Sequence, residues 1–233
     1  MEFELIFNHM PRFFEGLLTT MKLVGGALLI GGLMSIPMAF ARTSLNPLIN
    51  WPVYAFTYVF RGSPLLVQMY LIYNGAAQFD FIREGFLWLI LREAYWCALL
   101  AFTLNTAAYT TEIFRGAIQS VPFGEVEAAK ACGMSPLMRI RRIILPSALR
   151  RALPAYSNEV IFMLHGSAIA SVITIIDILG AGRELNGKHY LAFEGFVTAG
   201  VFYLCLTFLI IGAFKLLEKR WYKHLRPREE VAS

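Results

Sequence analysis

A chain of 233 residues that is 57% hydrophobic and only 16% charged lies well outside the soluble norm of about 45–50% apolar and about 25% charged. Its mean hydropathy of +0.56 reflects long runs nearly free of charge, so an ordinary soluble enzyme domain is excluded. The net charge of +5 raises nucleic acid as a partner, but the basic residues lie between the apolar runs, where cytoplasmic loops carry them, and nucleic acid is set aside.

A bilayer core of about 30 Å needs about 20 helical residues to cross it, and five segments qualify: residues 23–41, 51–73, 95–113, 155–176 and 196–217. The first is free of charge. Ala39-Phe40-Ala41 imitates a signal-peptidase site, but the stretch before it mixes Glu2, Glu4 and Glu15 with Arg12 and Lys22, unlike a basic export leader. It is read as a retained span. Ala27, Gly31 and Ser35 repeat every fourth residue, a small-residue stripe that lets another helix approach closely.

The second segment carries Arg61 and Gln68, and the third is rich in hydroxyls, with Asn105 inside and Glu112 near its end. The fourth contains Asn158, Glu159 and His165, and the fifth is apolar as far as Lys215. Pro37, Pro64 and Pro154 are expected at kinks or span boundaries. Cys97, Cys132 and Cys205 are odd in number and far apart, which argues for packing roles and against a disulfide framework or zinc site.

Basic residues set the orientation. Arg42, the group Arg115, Lys130, Arg139, Arg141, Arg142, Arg150 and Arg151, and the terminal group Lys215, Lys219, Arg220, Lys223, Arg226 and Arg228 fall on one side. They outnumber Arg12, Lys22, Arg83, Arg92, Arg183 and Lys188 on the other. The positive-inside bias then predicts an external N-terminus and a cytoplasmic C-terminus.

The long cytoplasmic loop over residues 120–146 carries the most specific signal. Residues 125–132 favour a short helix, because Glu, Ala and Lys are good helix formers. Gly124 is expected to precede it and Gly133 to end it in a left-handed conformation. Ser135 followed by Pro136 reads as the N-cap and first position of another helix. So short a helix is marginal by itself in water, and an external partner is the natural support.

Glu127-Ala128-Ala129, then Gly133, Ile143 and Leu145-Pro146 at their spacing resemble the EAA motif of ABC importer permeases. Three further stretches resemble the polar amino-acid branch of that family: Phe60-Arg61-Gly62-Ser63-Pro64-Leu65-Leu66-Val67-Gln68, Ala108-Tyr109-Thr110-Thr111-Glu112-Ile113-Phe114-Arg115-Gly116, and Pro154-Ala155-Tyr156-Ser157-Asn158-Glu159. Across Leu104-Asn105-Thr106-Ala107 and residues 158–165 the chain is most similar to the M-type permeases of histidine/lysine/arginine/ornithine and opine uptake. Glu125 stands where many relatives have Gln, Ser63 where they have Thr, and His165-Gly166-Ser167-Ala168 where other branches have Lys-Asp-Thr-Ser.

The resemblance implies an all-α membrane protein of the type I importer (MetI-like) fold in a bacterial inner membrane. Residues 1–16 would form an external segment, residues 17–218 the permease domain and residues 219–233 a cytoplasmic tail. Gly124, Glu125, Glu127, Ala128, Ala129, Gly133 and Pro146 would couple the chain to an ATPase. Its partners would be a second similar permease, two cytoplasmic ATPases and a periplasmic binding protein. ATP and Mg²⁺ would sit on the ATPase, leaving this chain without a cofactor. ATP binding would close the ATPases, draw the coupling helices together and open the pathway outward.

Intramembrane ionisable residues usually face a cavity or a partner, since exposure to lipid is costly. Glu159 beside Asn158 is therefore the candidate receptor for a substrate's ammonium or guanidinium; the competing reading is an ion pair with Arg61. Gln68 and Asn105 suit either substrate contact or interhelical hydrogen bonding. His165 shares a helix face with Asn158, with Phe162 between them, and suits either packing or substrate contact. Glu112 and Arg115, one turn apart, suit a local ion pair.

Gly182 to His189 nearly matches a phosphate-binding G-x4-G-K loop, but His189 replaces the required Ser/Thr and no strand precedes it. With no HExxH, GxSxG or Cys/His metal cluster in the sequence, the chain reads as a transporter subunit and not an enzyme. A stand-alone ion-coupled carrier is the alternative. It predicts inverted repeats, and no internal repeat is evident.

Overall fold

The computed structural model describes residues 3–221. The tail beyond Trp221, with Lys223, Arg226 and Arg228, lies outside the described residues. The described chain is helical throughout: α1 (Phe3–Arg42), α2 (Pro47–Gly62), α3 (Leu65–Gly75), single turns α4 (Asp80–Arg83) and α5 (Trp88–Leu91), α6 (Ala94–Gln119), α7 (Phe123–Ala131), α8 (Pro136–Arg139), α9 (Leu145–Gly166), α10 (Ile178–His189) and α11 (Ala192–Trp221). Helices α1 and α11 are each long and apolar enough to cross a membrane, and Pro136–Ile173 with Ile178–His189 qualifies as a pair bent by 42°.

The expected spans differ from the helices in extent, for local reasons. Helix α1 begins at Phe3 and has 40 residues, about 60 Å at 1.5 Å per residue, so residues 3–16 are its first turns. The small-residue stripe faces α6. Ala27 and Ser35 are fully buried, and a Cβ added at Gly31 would lie 2.5 Å from Thr106 Cγ2 and 2.9 Å from the Thr103 carbonyl oxygen. Close approach of the two backbones depends on that stripe.

Residues 51–73 are not one continuous helix. Ser63 is extended (φ −110°, ψ 146°), the conformation that a following proline favours, and α2 stops there while α3 starts after Pro64. A break inside a membrane leaves backbone groups that must find partners. Gln68 supplies them: its Nε2 donates to the Phe60 carbonyl at 2.7 Å, the Ser63 carbonyl at 3.0 Å and Ser63 Oγ at 2.8 Å.

The fourth expected span is also displaced. Helix α9 starts at Leu145, ten residues before the expected boundary, directly after a π turn over Ile140–Ile144, and ends at Gly166. A 3₁₀ segment, Ser167–Ile173, and left-handed Thr174 (φ 71°) follow. Pro154 sits inside α9 and Pro37 inside α1, so neither marks a boundary.

Helix α6 is the centre of the bundle, packed against α1, α2, α3 and α9. Leu23, Met69, Phe102, Met163 and Ile173 form the main core, joined by Ala98 and Ala101. Beyond it, α1, α10 and α11 converge on Phe13, Ile178, Leu185 and Ala199. Cys97 is buried, whereas Cys132 and Cys205 are exposed, and all three are free thiols. Leu204, Phe208, Leu209 and Leu216 of α11 lie open, a large apolar surface of the kind that a bilayer or a partner covers.

Candidate functional site

A cavity of about 460 Å³ lies between the start of α3, the middle of α6 and the second half of α9. Its wall includes Leu65, Asn105, Tyr109, Ala155, Asn158, Glu159 and Phe162. The volume falls within the range of about 300–1,000 Å³ typical of small-molecule sites. The helical repeat assembles the wall. Asn105 and Tyr109 are one turn apart on α6, while Ala155, Asn158, Glu159 and Phe162 follow the i, i+3, i+4, i+7 stripe of one α9 face. Of the six candidate pathway residues, three line this cavity together: Asn105, Asn158 and Glu159.

Glu159 is 6% exposed, and its Oε1 accepts a hydrogen bond from Thr106 Oγ1 at 3.1 Å. The ion pair with Arg61 that the sequence also allowed is not formed. The Arg61 guanidinium instead sits over the ring of Tyr109, 5.3 Å from its centroid, and the Tyr109 hydroxyl donates to the Arg61 carbonyl at 3.3 Å. Asn105 Nδ2 donates to Gln68 Oε1 at 3.1 Å and to the Phe60 carbonyl at 3.3 Å. Gln68 thus stands behind the wall, at the α2–α3 break. His165 turns towards α11, with Nε2 and Thr207 Oγ1 3.0 Å apart.

Sequence reasoning named Thr106, Tyr109 and Leu65 within family-like stretches but not as pathway residues. For Tyr109 the available signal was its position one turn after Asn105. For Thr106 and Leu65 there was none, because their relation to Glu159 depends on how three helices pack.

Towards α7, Glu112 does more than the expected pairing with Arg115, which is present at 2.7 Å. Its other oxygen receives Arg42 Nε of α1 at 2.9 Å and the Thr57 hydroxyl of α2 at 3.2 Å. Arg42 also donates to Asn50 and lies over the Tyr54 ring. One carboxylate therefore ties three helices. Partners 55 and 70 positions away along the chain leave no trace in local sequence.

The helix expected around residues 125–132 is α7, and it starts earlier than the sequence suggested. Gly124, expected to precede it, is its second residue, with Pro122 as N-cap. Glu125 in the first turn suits the positive end of the helix dipole. Glu125, Glu127 and Ala128 are exposed while Ala129 is buried, so the two alanines face different surroundings. Gly133 is left-handed (φ 72°), and the Gly133 and Met134 amides return to the Lys130 and Ala129 carbonyls at 2.9 and 3.1 Å. Ser135 caps α8 through the Met138 amide, with Pro136 at its first position, and Pro146 lies in the first turn of α9.

Residues 27–223 match the family described as "Binding-protein-dependent transport system inner membrane component". The chain belongs to that family. Its all-α membrane fold and its place as a permease subunit follow, and the stand-alone carrier is not favoured. The Escherichia coli K12 histidine/lysine/arginine/ornithine transport system permease HisM is 46% identical over 215 residues, covering 92% of this chain and 90% of HisM. The Agrobacterium fabrum nopaline transport system permease NocM is 43% identical over 229 residues, covering 98% and 95%.

Among solved structures, an amino acid ABC transporter crystallised with histidines superposes with a TM-score of 0.84 at 34% identity, covering 94% of this chain and 99% of that one. The inward-facing MetNI methionine ABC transporter gives 0.70 at 18% identity, covering 95% and 99%, and shares the fold.

As an inner-membrane permease, the chain carries its near-match to a phosphate loop in a helical setting. Gly182 and Gly187 both lie in α10, and Gly182 packs on Gly195, so no cradle of free amides forms there. Among the described residues, no group of three His, Cys, Asp or Glu is placed to hold a metal.

Proposed function

We propose that this chain is the permease through which an ATP-driven importer passes polar, cationic L-amino acids, and that the Glu159 cavity receives the substrate's cationic group. One observation carries the reading: a buried carboxylate, paired with no cation among the described residues, faces a cavity whose other polar groups include the amides Asn105 and Asn158. A desolvated carboxylate of this kind interacts far more strongly with an arriving ammonium or guanidinium than the same group does in water. The names of HisM and NocM support an amino-acid or opine substrate and do not rank the candidates.

Coupling runs through α7. Its exposed acidic face and Gly133 turn suit docking in a groove of a cytoplasmic ATPase, with Gly124, Glu125, Glu127, Ala128, Ala129, Gly133 and Pro146 shaping the contact. Two ATPase copies bearing ATP and Mg²⁺, a second homologous permease and a periplasmic binding protein complete the importer. The N-terminus faces outside and the C-terminus the cytoplasm, with residues 17–218 as the permease domain. Closure of the ATPases draws the α7 helices together and opens the pathway outward; hydrolysis resets it.

Uptake competition in proteoliposomes tests the substrate assignment. Excess arginine, lysine or histidine is expected to displace label, and Glu159→Gln to abolish that preference. Equal displacement by neutral amino acids, or an unchanged Glu159→Gln profile, refutes it.

A further inference from the structure

Arg61 is a cation that the fold leaves unspent. The carboxylates around it are otherwise engaged: Glu112 with Arg42 and Arg115, and Glu159 with Thr106. Arg61 forms no salt bridge among the described residues, acting on Glu159 only by longer-range attraction, and it is exposed on the last turn of α2. A guanidinium in a membrane-spanning region costs free energy unless it faces a cavity or finds a partner, so its position asks for an explanation.

Its surroundings supply one. Tyr109, on whose ring the guanidinium rests, is part of the Glu159 cavity wall. Leu65, one turn further along the chain beyond the Pro64 break, is another part. Arg61 also lines a second cavity of about 270 Å³ with Tyr54, Thr57, Tyr58 and Glu112. It therefore lines one hollow and rests on a wall residue of the other, held by a ring contact that a long side chain can leave without breaking a hydrogen bond from its guanidinium.

An amino acid brings a carboxylate as well as a cation, and Glu159 repels the carboxylate. A planar guanidinium fork is the side chain best matched to a carboxylate. We infer that Arg61, resting on the Tyr109 wall of the Glu159 cavity, is the receptor for the substrate's α-carboxylate, so that the site reads both ends of an amino acid. The inference rests on the proposed role of that cavity. Capping of the negative end of α2 by Arg61 is the bland alternative, and a lysine satisfies it equally.

Direct binding separates these roles: the assembled transporter in lipid nanodiscs, without its soluble binding protein, is titrated with L-arginine and with agmatine, which lacks only the carboxylate. Wild type is expected to prefer arginine. Arg61→Gln is expected to weaken arginine at least about tenfold, roughly 1.4 kcal/mol, and to leave agmatine unchanged, while Arg61→Lys keeps part of the preference. Equal binding of both ligands by wild type, equal weakening of both by Arg61→Gln, or no change overturns the inference. Glu159→Gln is the separate control. If it alters neither ligand, the cavity itself is misassigned, whatever Arg61 does.

Discussion

The two ends of the bundle are held together by different physics. Where α1, α10 and α11 meet, backbones touch. A Cβ on Gly182 would stand 2.7 Å from the Gly195 carbonyl oxygen, and one on Gly16 would stand 2.5 Å from that of Asp177. Asp177, fully buried, caps α10 through the Gly180 amide at 2.7 Å and accepts the Tyr203 hydroxyl at 3.1 Å. At the opposite end of α6, cohesion comes from one carboxylate, Glu112, between two arginines. Beyond it α7 has open space around Gly124 and Gly133. A tightly packed joint resists change and a charged node can rearrange, whereas a helix with bare faces is completed by another chain.

Four substitutions test that contrast through thermal melting in detergent and ATPase capture. Glu112→Ala strands Arg42 and Arg115, and the expected loss is about 3 kcal/mol, the low end for breaking a buried pair. Melting unchanged within error would show that the charged node holds nothing. Gly182→Ala drives a methyl into backbone that cannot yield, with an expected cost of about 1–3 kcal/mol; a variant as stable as wild type would show that the joint has slack.

Asp177→Ala removes the α10 cap, and about 1 kcal/mol is expected. An effect as large as that of Glu112→Ala would mean that the packed end also depends on its polar tie. Glu127→Arg on exposed α7 is expected to leave melting within about 0.5 kcal/mol of wild type and yet to lose the ATPase in a pull-down. Retained capture by that variant removes α7 from the coupling role.

The local structure of the segment from α7 to α8 was legible because its signals are local: Ser135-Pro136 caps α8 and Gly133 is left-handed, as the residues require. The error at Gly124 was also local, since Pro122 starts the helix before the glycine. The Glu159 cavity was half legible. Glu159, Asn158 and Asn105 stood out as polar residues in apolar runs, but their convergence requires α6 and α9 to pack face to face. Asp177 three residues before Gly180 is a local N-cap signal, whereas its burial against Tyr203 is a tertiary fact.

The sequence by itself determined that this chain is a membrane-embedded helical protein with a short helix ahead of Gly133, because hydropathy and capping act over a few neighbouring residues. Tertiary structure alone decided that Glu159 accepts from Thr106 without a salt bridge, that Arg61 rests on Tyr109, and that Glu112 joins helices from three parts of the chain. Those outcomes depend on interhelical distances, which small residues such as Gly31 allow and which no window of neighbouring residues encodes.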